Sequence, residues 1–181
     1  MSDAFVFTTG HTWADFLATR TNVHGPSSSE WLTTAEDARR WFTEVGLAPA
    51  DPSPADLPLV HVTREALRTV VLTRLGSELP PGSPDLASAT AALRRLSDRA
   101  PDRDPTGAPA SCASALSRIV ISATVDLSQP ALRFLTCVEH VCGKVFSDRG
   151  DVRRRYCGPR CATRARVRSH RGRHTGDDVA D

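Results

Sequence analysis

The spacing of apolar residues along residues 1–132 predicts a unit built mainly of helices. Apolar side chains there recur at intervals of three and four residues, which places them on one face of a helix. The clearest helix begins at Thr34, which has a capping-box pattern with Asp37, and it ends at Gly46. Its apolar stripe consists of Ala38, Trp41, Phe42 and Val45.

Four further segments follow the same spacing. A short stripe starts at Trp13, and a longer one runs from Val62 to Leu75. Another starts at Leu86, where the preceding Ser83-Pro84 suits an N-cap followed by proline at the first helical position. The last segment, residues 111–127, follows helical spacing, but its residues 119–127 also fit strand alternation, so both alternatives stay open at this point.

Loops and one short strand complete the prediction for this unit. Residues 22–30, 49–58 and 98–109 are rich in turn-forming or charged residues and are expected to be loops. Residues 5–7 alternate in the manner of a strand. Three arginines lie mostly off the stripe of the helix at 62–75, and we expect them to form a solvated face: Arg64, Arg68 and Arg74.

The composition of the chain narrows the class of protein. No Gly-rich phosphate loop, paired catalytic carboxylates or Ser/His/Asp arrangement occurs in residues 1–132, so we expect no enzymatic activity. No stretch approaches the roughly 18 apolar residues of a membrane-spanning helix, and no secretory leader is recognisable, which leads us to expect a cytoplasmic protein. Cys112 is expected to be a small buried hydrophobic residue.

Charge divides the chain into an acidic body and a basic end. From Arg133 to His174 there are twelve basic and three acidic residues, a net charge of +9, whereas the whole chain carries +2 and the remainder therefore −7. Such an asymmetry is typical of proteins that bind nucleic acid or an anionic membrane surface.

Four of the five cysteines lie in the basic end as two closely spaced pairs. Cys137 and Cys142 are separated by four residues, and Cys157 and Cys161 by three. Pairs from separate segments can converge on a tetrahedral zinc ion, and four thiolates leave no open position for catalysis. We therefore predict a structural Zn²⁺, with His140 in place of one cysteine as the main alternative.

The segment around the cysteines predicts a treble-clef-like finger made of a knuckle, a β-hairpin and a basic helix. The knuckle is bounded by Cys137 and Cys142. Residues 144–147 and 152–156 have the pattern of two strands joined by a turn. Pro159 is placed to start a helix that carries Cys161 in its first turn. The fold class is thus mainly α with minor β.

Arginines follow helical spacing after the last cysteine, and no apolar stripe interrupts them. Because like charges one helical turn apart repel each other, we expect an anionic partner, with a plain solvated tail as the alternative. The segment lacks the aromatic and leucine face of an interfacial membrane helix and has few aromatic residues for stacking on RNA, which favours double-stranded DNA. The predicted DNA contacts are Arg153, Arg154, Arg155, Arg160, Arg164, Arg166, Arg168 and Arg171.

Several short motifs carry a resemblance to a known family. In the finger they are the two cysteines at 137 and 142, Phe146 with Asp148, Arg154-Arg155-Tyr156-Cys157 and Cys161-Ala162-Thr163-Arg164. Upstream they are Asp15-Phe16-Leu17 with Thr19, followed by the helix from Thr34 to Gly46. The chain thereby resembles the CGNR zinc-finger family, bacterial proteins with an amino-terminal ABATE domain that are regarded as stress-induced transcriptional regulators. The naming tetrapeptide keeps only its first and last residues here.

The leading hypothesis is a zinc-dependent DNA-binding transcriptional regulator, associated with the bacterial nucleoid. Its domains would be an ABATE-like helical domain at 1–132, the finger at 133–174 and a disordered tail at 175–181. The helical domain would sense a small-molecule effector or form a homodimer. Two alternatives stay open: an enzyme or small-molecule binder with its pocket in the helical domain and a purely structural finger, and a protein-interaction module that uses the basic helix on an acidic partner.

Overall fold

The computed structural model describes residue 5 and residues 7–48, 52–99, 107–148 and 150–174, and within these ranges it is mainly helical. The predicted tail at 175–181 lies outside them. The helices are α1 (Thr12–Leu17), α2 (Ala35–Glu44), α3 (Leu57–Arg74), α4 (Leu86–Arg99), α5 (Cys112–Ser128) and α6 (Pro159–His174). The strands are β1 (Arg20–Thr21), β2 (Ser29–Glu30), β3 (Phe134–Thr136) and β4 (Val145–Ser147). Each strand pairs antiparallel with its successor, β1 with β2 and β3 with β4, which confirms the mainly α fold with minor β structure.

Local sequence signals account for the helix boundaries that were predicted correctly. The Thr34 hydroxyl accepts a hydrogen bond from the Asp37 amide, and the Asp37 carboxylate accepts one from the Thr34 amide, so the capping box is formed. The α2 helix ends before Gly46, whose φ of +72° is readily adopted only by glycine. The ambiguous segment is the helix α5, capped by the Ser111 hydroxyl. Cys112 in its first turn is buried, as expected.

The core of the body forms where α1, α3, α4 and α5 pack against one another. The α1 helix is short, and its Trp13 and Phe16 side chains are completely buried. The ring of Trp41 from α2 lies 5.4 Å from that of Phe16. This aromatic cluster ties α2 and α1 into one core with the longer helices.

The amino-terminal strand prediction and one helix cap were wrong. Phe5 and Phe7, the described residues of the predicted strand, are not in a strand. The amides of Thr8 and Thr9 that follow donate instead to the Asp15 carboxylate. The α4 helix begins two residues later than predicted, because Asp85 caps it by accepting a hydrogen bond of 2.8 Å from the Ser88 amide.

The predicted solvated face of α3 is wrong for two of its three arginines, because Arg64 and Arg68 are each only 1% exposed, whereas Arg74 is exposed as expected. Arg64 pairs with both oxygens of Glu30 on β2 and with Glu65, while Arg68 donates to Glu65 and to the Leu17 carbonyl. Burial alone would raise the pKa of Glu30, but the hydrogen bonds and charge of Arg64 outweigh it and lower that pKa. Only tertiary structure brings Glu30 to α3, which is why spacing along α3 could not reveal the pair.

Replacing Glu30 with glutamine is expected to lower the free energy of unfolding by about 2 kcal/mol, because the buried charge of Arg64 would lose one of its two carboxylate partners and keep only Glu65. Urea denaturation followed by circular dichroism would measure the loss. The matched control is Glu36→Gln, which breaks the exposed pair with Arg39 on α2 and should cost less than about 1 kcal/mol. Equal effects of the two substitutions would contradict this account of the buried pair.

The finger region packs directly on this body. Phe134 and Val145, from its two strands, belong to the same buried cluster as the helices. The Phe134 ring meets His11 and Trp13 edge-on, with centroids 4.8 and 4.9 Å apart. One carboxylate oxygen of Asp126 lies 2.8 Å from the His11 Nδ1 and 2.8 Å from the Trp13 Nε1, which fixes both rings against Phe134.

Candidate metal centre and basic helix

The β3 and β4 strands bring the first cysteine pair together. Phe134 lies opposite Ser147 and Thr136 opposite Val145, so the chain between them closes a tight knuckle. The Cys137 amide donates to the Lys144 carbonyl and the Cys142 amide to the Glu139 carbonyl, both at 2.9 Å. The predicted knuckle is therefore present.

The finger contains a β-hairpin, but one of its two strands is not the predicted one. The β4 strand pairs with β3 on the other side of the knuckle, and residues 152–156 form turns and bends. Arg154 holds that segment, because its guanidinium donates to the carbonyls of Ser147, Tyr156 and Cys157 and lies 4.6 Å above the Phe146 ring. The pattern of residues 152–156 could not distinguish a strand from a segment anchored by one arginine.

The second cysteine pair sits where α6 begins. Pro159 is the first residue of α6, and Cys161 lies in its first turn, as the sequence predicts. Cys157 precedes the helix, and its amide donates to the Cys137 sulfur at 3.5 Å. The start of α6 is thereby attached to the knuckle through sulfur.

The four cysteine sulfur atoms all lie within 4.8 Å of one another, and those of Cys142 and Cys161 are 3.7 and 3.6 Å from that of Cys157. Tetrahedral zinc with bonds of about 2.3 Å places its sulfur ligands about 3.8 Å apart. The donor set and spacing therefore fit a zinc ion. Among the described residues, no other group of possible ligands converges in this way.

The pKa values of the four cysteine thiols are consistent with a site that binds a cation. Hydrogen bonding to Cys137 and burial raise the pKa of Cys142 and of Cys157, and burial raises that of Cys161. Hydrogen bonds from Cys142 and Cys157 lower the pKa of Cys137. Four crowded thiols cannot all ionise unaided, whereas a bound divalent ion would stabilise them as thiolates.

His140, the alternative ligand, points away from the sulfur atoms. Its side chain is 61% exposed, and its Nδ1 atom lies 3.2 Å from the neighbouring Glu139 carboxylate. It is not part of the cysteine cluster. The geometry therefore favours the four-cysteine set.

Glu139 is a site residue that sequence reasoning missed. Its carboxylate is fully enclosed inside the knuckle and pairs with Arg164 at 3.4 Å and with Arg168, both from α6. Burial would raise the pKa of Glu139, but the hydrogen bond and charge of Arg168 outweigh it and lower that pKa. The available signal was that Glu139 is the one acidic residue between the first two cysteines.

The structure divides the predicted DNA contacts into two groups. Arg154 is held by carbonyl groups of the finger, and Arg164 and Arg168 are paired with Glu139, although both keep almost half of their side-chain surface exposed. The other five are all exposed: Arg153, Arg155, Arg160, Arg166 and Arg171. The basic surface thus spans α6 and the segment before it.

The knuckle also touches the body through Gly143, whose φ is +62°. A Cβ atom there would lie 2.4 Å from the Val23 Cγ2 atom and 2.9 Å from two atoms of the His24 ring. The His24 amide donates to the Val141 carbonyl beside it. Glycine is therefore required for both its backbone conformation and the close approach of the two segments.

Replacing Gly143 with alanine is expected to destabilise the zinc-loaded protein by about 2 to 3 kcal/mol, through backbone strain and a steric clash. Thermal unfolding would measure it. Gly150→Ala is the matched control, because Gly150 has a φ of +83° but open space around its Cα atom. That control should lose only about 1 kcal/mol, and an equal loss in both variants would exclude a role for the contact with Val23 and His24.

Comparison with known families gives two matches that together span most of the chain. Residues 10–130 match the ABATE family model, described as a putative stress-induced transcription regulator. Residues 133–174 match the model of the CGNR zinc finger. No curated protein matches the sequence. Within the described ranges, no helix combines the length and apolar character needed to cross a bilayer.

Proposed function

Because the chain belongs to the ABATE family and carries a CGNR zinc finger, we propose that it is a zinc-dependent transcription regulator that binds double-stranded DNA. In this role, Cys137, Cys142, Cys157 and Cys161 would hold a structural Zn²⁺ that joins the knuckle to α6. The ion would supply no reactive position, because its four ligands complete the tetrahedron.

The observation that carries the proposal is the exposed arginine surface on a helix anchored at the metal centre. The α6 helix contains no acidic residue, and its exposed arginines continue into Arg153 and Arg155 just before it. Guanidinium groups bind phosphate oxygens in a forked geometry and can also reach base edges. The regularly spaced phosphate groups of a DNA duplex are complementary in charge to such a surface.

A gel-shift or anisotropy titration of the zinc-loaded protein with duplex DNA over a range of salt concentrations tests this proposal. On a plot of the logarithm of affinity against the logarithm of salt concentration, each phosphate contact should contribute about −0.9 to the slope. Arg153→Gln together with Arg155→Gln should flatten the slope, while Arg39→Gln together with Arg40→Gln on α2 should leave it unchanged. A flat response in the wild-type protein would refute DNA binding as its function.

We also propose that the helical domain senses a small molecule. A groove of about 460 Å³ between α3 and α4 supports this role, with His61, Glu65, Ser88 and Arg95 as polar groups beside an apolar floor. Val62, which the sequence assigned to the buried stripe, lines it and is 55% exposed. The same groove is the feature that favours the alternative of a small-molecule binder with a structural finger. A ligand that raises the unfolding temperature without changing DNA affinity would favour that alternative.

Dimerisation is a further proposal for the helical domain. Ile121 and Val125 lie one turn apart on α5 and are about half exposed, at 47% and 53%. A single finger contacts few base pairs, so a dimer would lengthen the recognised site. Light scattering on the zinc-loaded protein tests this, and a monomer at every concentration would contradict it. We propose no catalytic role for the chain.

A further inference from the structure

The α6 helix has two faces with different tasks. One face is directed at the knuckle through Cys161, Arg164 and Arg168. Since successive residues of a helix are about 100° apart, the residues two positions away from these lie on the opposite face. They include Thr163, Arg166 and His170, Val167 lies at the edge of that face, and all four are exposed.

The knuckle-facing arginines are already engaged within the protein. Arg164 and Arg168 share the carboxylate of Glu139, which is fully enclosed. Arg164 also donates to the Asn22 side chain of the body at 3.2 Å. These contacts fix the rotation of α6 about its own axis, and the same residues always face outward as a result.

The outward face has the chemistry of a major-groove reader. Arg166 can donate two hydrogen bonds to O6 and N7 of guanine, whereas Thr163 and the 45%-exposed Val167 can pack on the methyl group of thymine. The valine side chain has neither a charge nor a hydrogen-bond donor for a phosphate, so its exposed position between arginines favours contact with bases. The deep major groove of double-stranded RNA would not admit these side chains.

From this arrangement, and resting on the proposed function, we propose that Thr163, Arg166, Val167 and His170 read base edges in the major groove of DNA. Arg153, Arg155, Arg160 and Arg171 flank this reading face and contact phosphates. Glu139 is a positioning residue, because its pairs with Arg164 and Arg168 set which side of α6 enters the groove. Three of the four reading residues are absent from the sequence-based list of DNA contacts.

Selection of binding sites from a pool of random DNA duplexes tests the assignment, using the full-length zinc-loaded protein. Arg166→Gln and Val167→Ala should change the selected motif at one or two positions and weaken binding to the wild-type motif about tenfold. Arg160→Gln, the matched control on the same helix, should select the wild-type motif with a uniformly weaker affinity and a smaller salt slope.

The positioning role of Glu139 has its own measurement. Glu139→Gln and Arg168→Gln should reduce the ratio of specific to non-specific affinity while zinc content stays at one equivalent. Because removing the carboxylate frees positive charge, non-specific affinity should not fall in Glu139→Gln. A purely structural role for Glu139 would instead lower both affinities together and would overturn this part of the proposal.

The possible failures are distinguishable. If the wild-type protein selects no motif and binds no duplex, the proposed function itself is wrong. If it selects a motif that Arg166→Gln and Val167→Ala leave intact but Arg164→Gln changes, DNA binding stands and the assignment of faces is overturned. A changed motif in Arg166→Gln or Val167→Ala, with an unchanged motif in Arg160→Gln, supports the reading face.

Discussion

Replacing Cys161 with serine, or removing metal with a chelator, is expected to reduce affinity for duplex DNA by about 100-fold or more. Cys161 is part of the sulfur cluster and lies in the first turn of α6, so its loss separates the basic helix from the knuckle. Small metal-bound units generally fold only with their metal, because few apolar residues are available to stabilise them otherwise. Fluorescence anisotropy with labelled duplex would measure the loss, and elemental analysis the bound zinc.

Cys112→Ser is the matched control for this substitution. Cys112 is buried in the first turn of α5, and burial raises its pKa to about 12. It is the one cysteine outside the cluster, so both zinc content and DNA affinity should remain at wild-type levels. If Cys161→Ser retained one equivalent of zinc and full affinity, both the ligand set and the attachment of α6 through it would be wrong.

Metal removal should also weaken the helical body without unfolding it. Two finger residues, Phe134 and Val145, are part of the main core, so loss of the finger structure removes packing from α1. The helical circular dichroism signal of the body should persist, and its unfolding temperature should fall.

Replacing Phe134 with alanine is expected to cost about 4 kcal/mol of stability, the largest effect of a single substitution proposed for this chain. The Phe134 ring is only 6% exposed and fills the space between His11, Trp13 and the rest of the core. Removing it leaves a cavity lined by rings that Asp126 holds in place and that cannot move to close it. Urea unfolding of the zinc-loaded protein would measure the change.

Phe7→Ala serves as the control for Phe134→Ala, because it makes the same chemical change at a side chain that is 39% exposed. It should cost less than about 1 kcal/mol. A small effect of Phe134→Ala would mean that β3 is only loosely attached to the body. In that case the finger would be a separate unit, as the division at 132/133 predicts.

Features encoded within a few neighbouring residues were predictable from sequence. The capping box of Thr34, the proline that starts α6 and the spacing of the cysteine pairs all act over six residues or fewer. The structure brings the four predicted cysteines together for the same reason: each pair needs only one turn of chain. The remaining step, bringing the two pairs together, follows from the chemistry of a shared ion.

Features that depend on distant partners were not predictable. Arg64 and Arg68 look like surface residues on the α3 pattern, but both are buried, Arg64 against Glu30 from β2 and Arg68 against the Leu17 carbonyl of α1. The pairing of β3 with β4 involves three residues on each side, too few to show alternation. The residues around Glu139 form no recognisable sequence motif. Its ion pair with Arg164 forms only because the fold places α6 beside the knuckle.

The contact of Gly143 with Val23 and His24 bears on how such proteins diversify. Fingers are often regarded as interchangeable parts that evolution can move between hosts. Here the knuckle and the loop after β1 are in such close contact that neither surface can change alone. A finger joined to a different body would also need a cavity there for the Phe134 side chain. New DNA specificities should therefore arise by point substitution on the outer side of α6, with finger and body inherited as a pair.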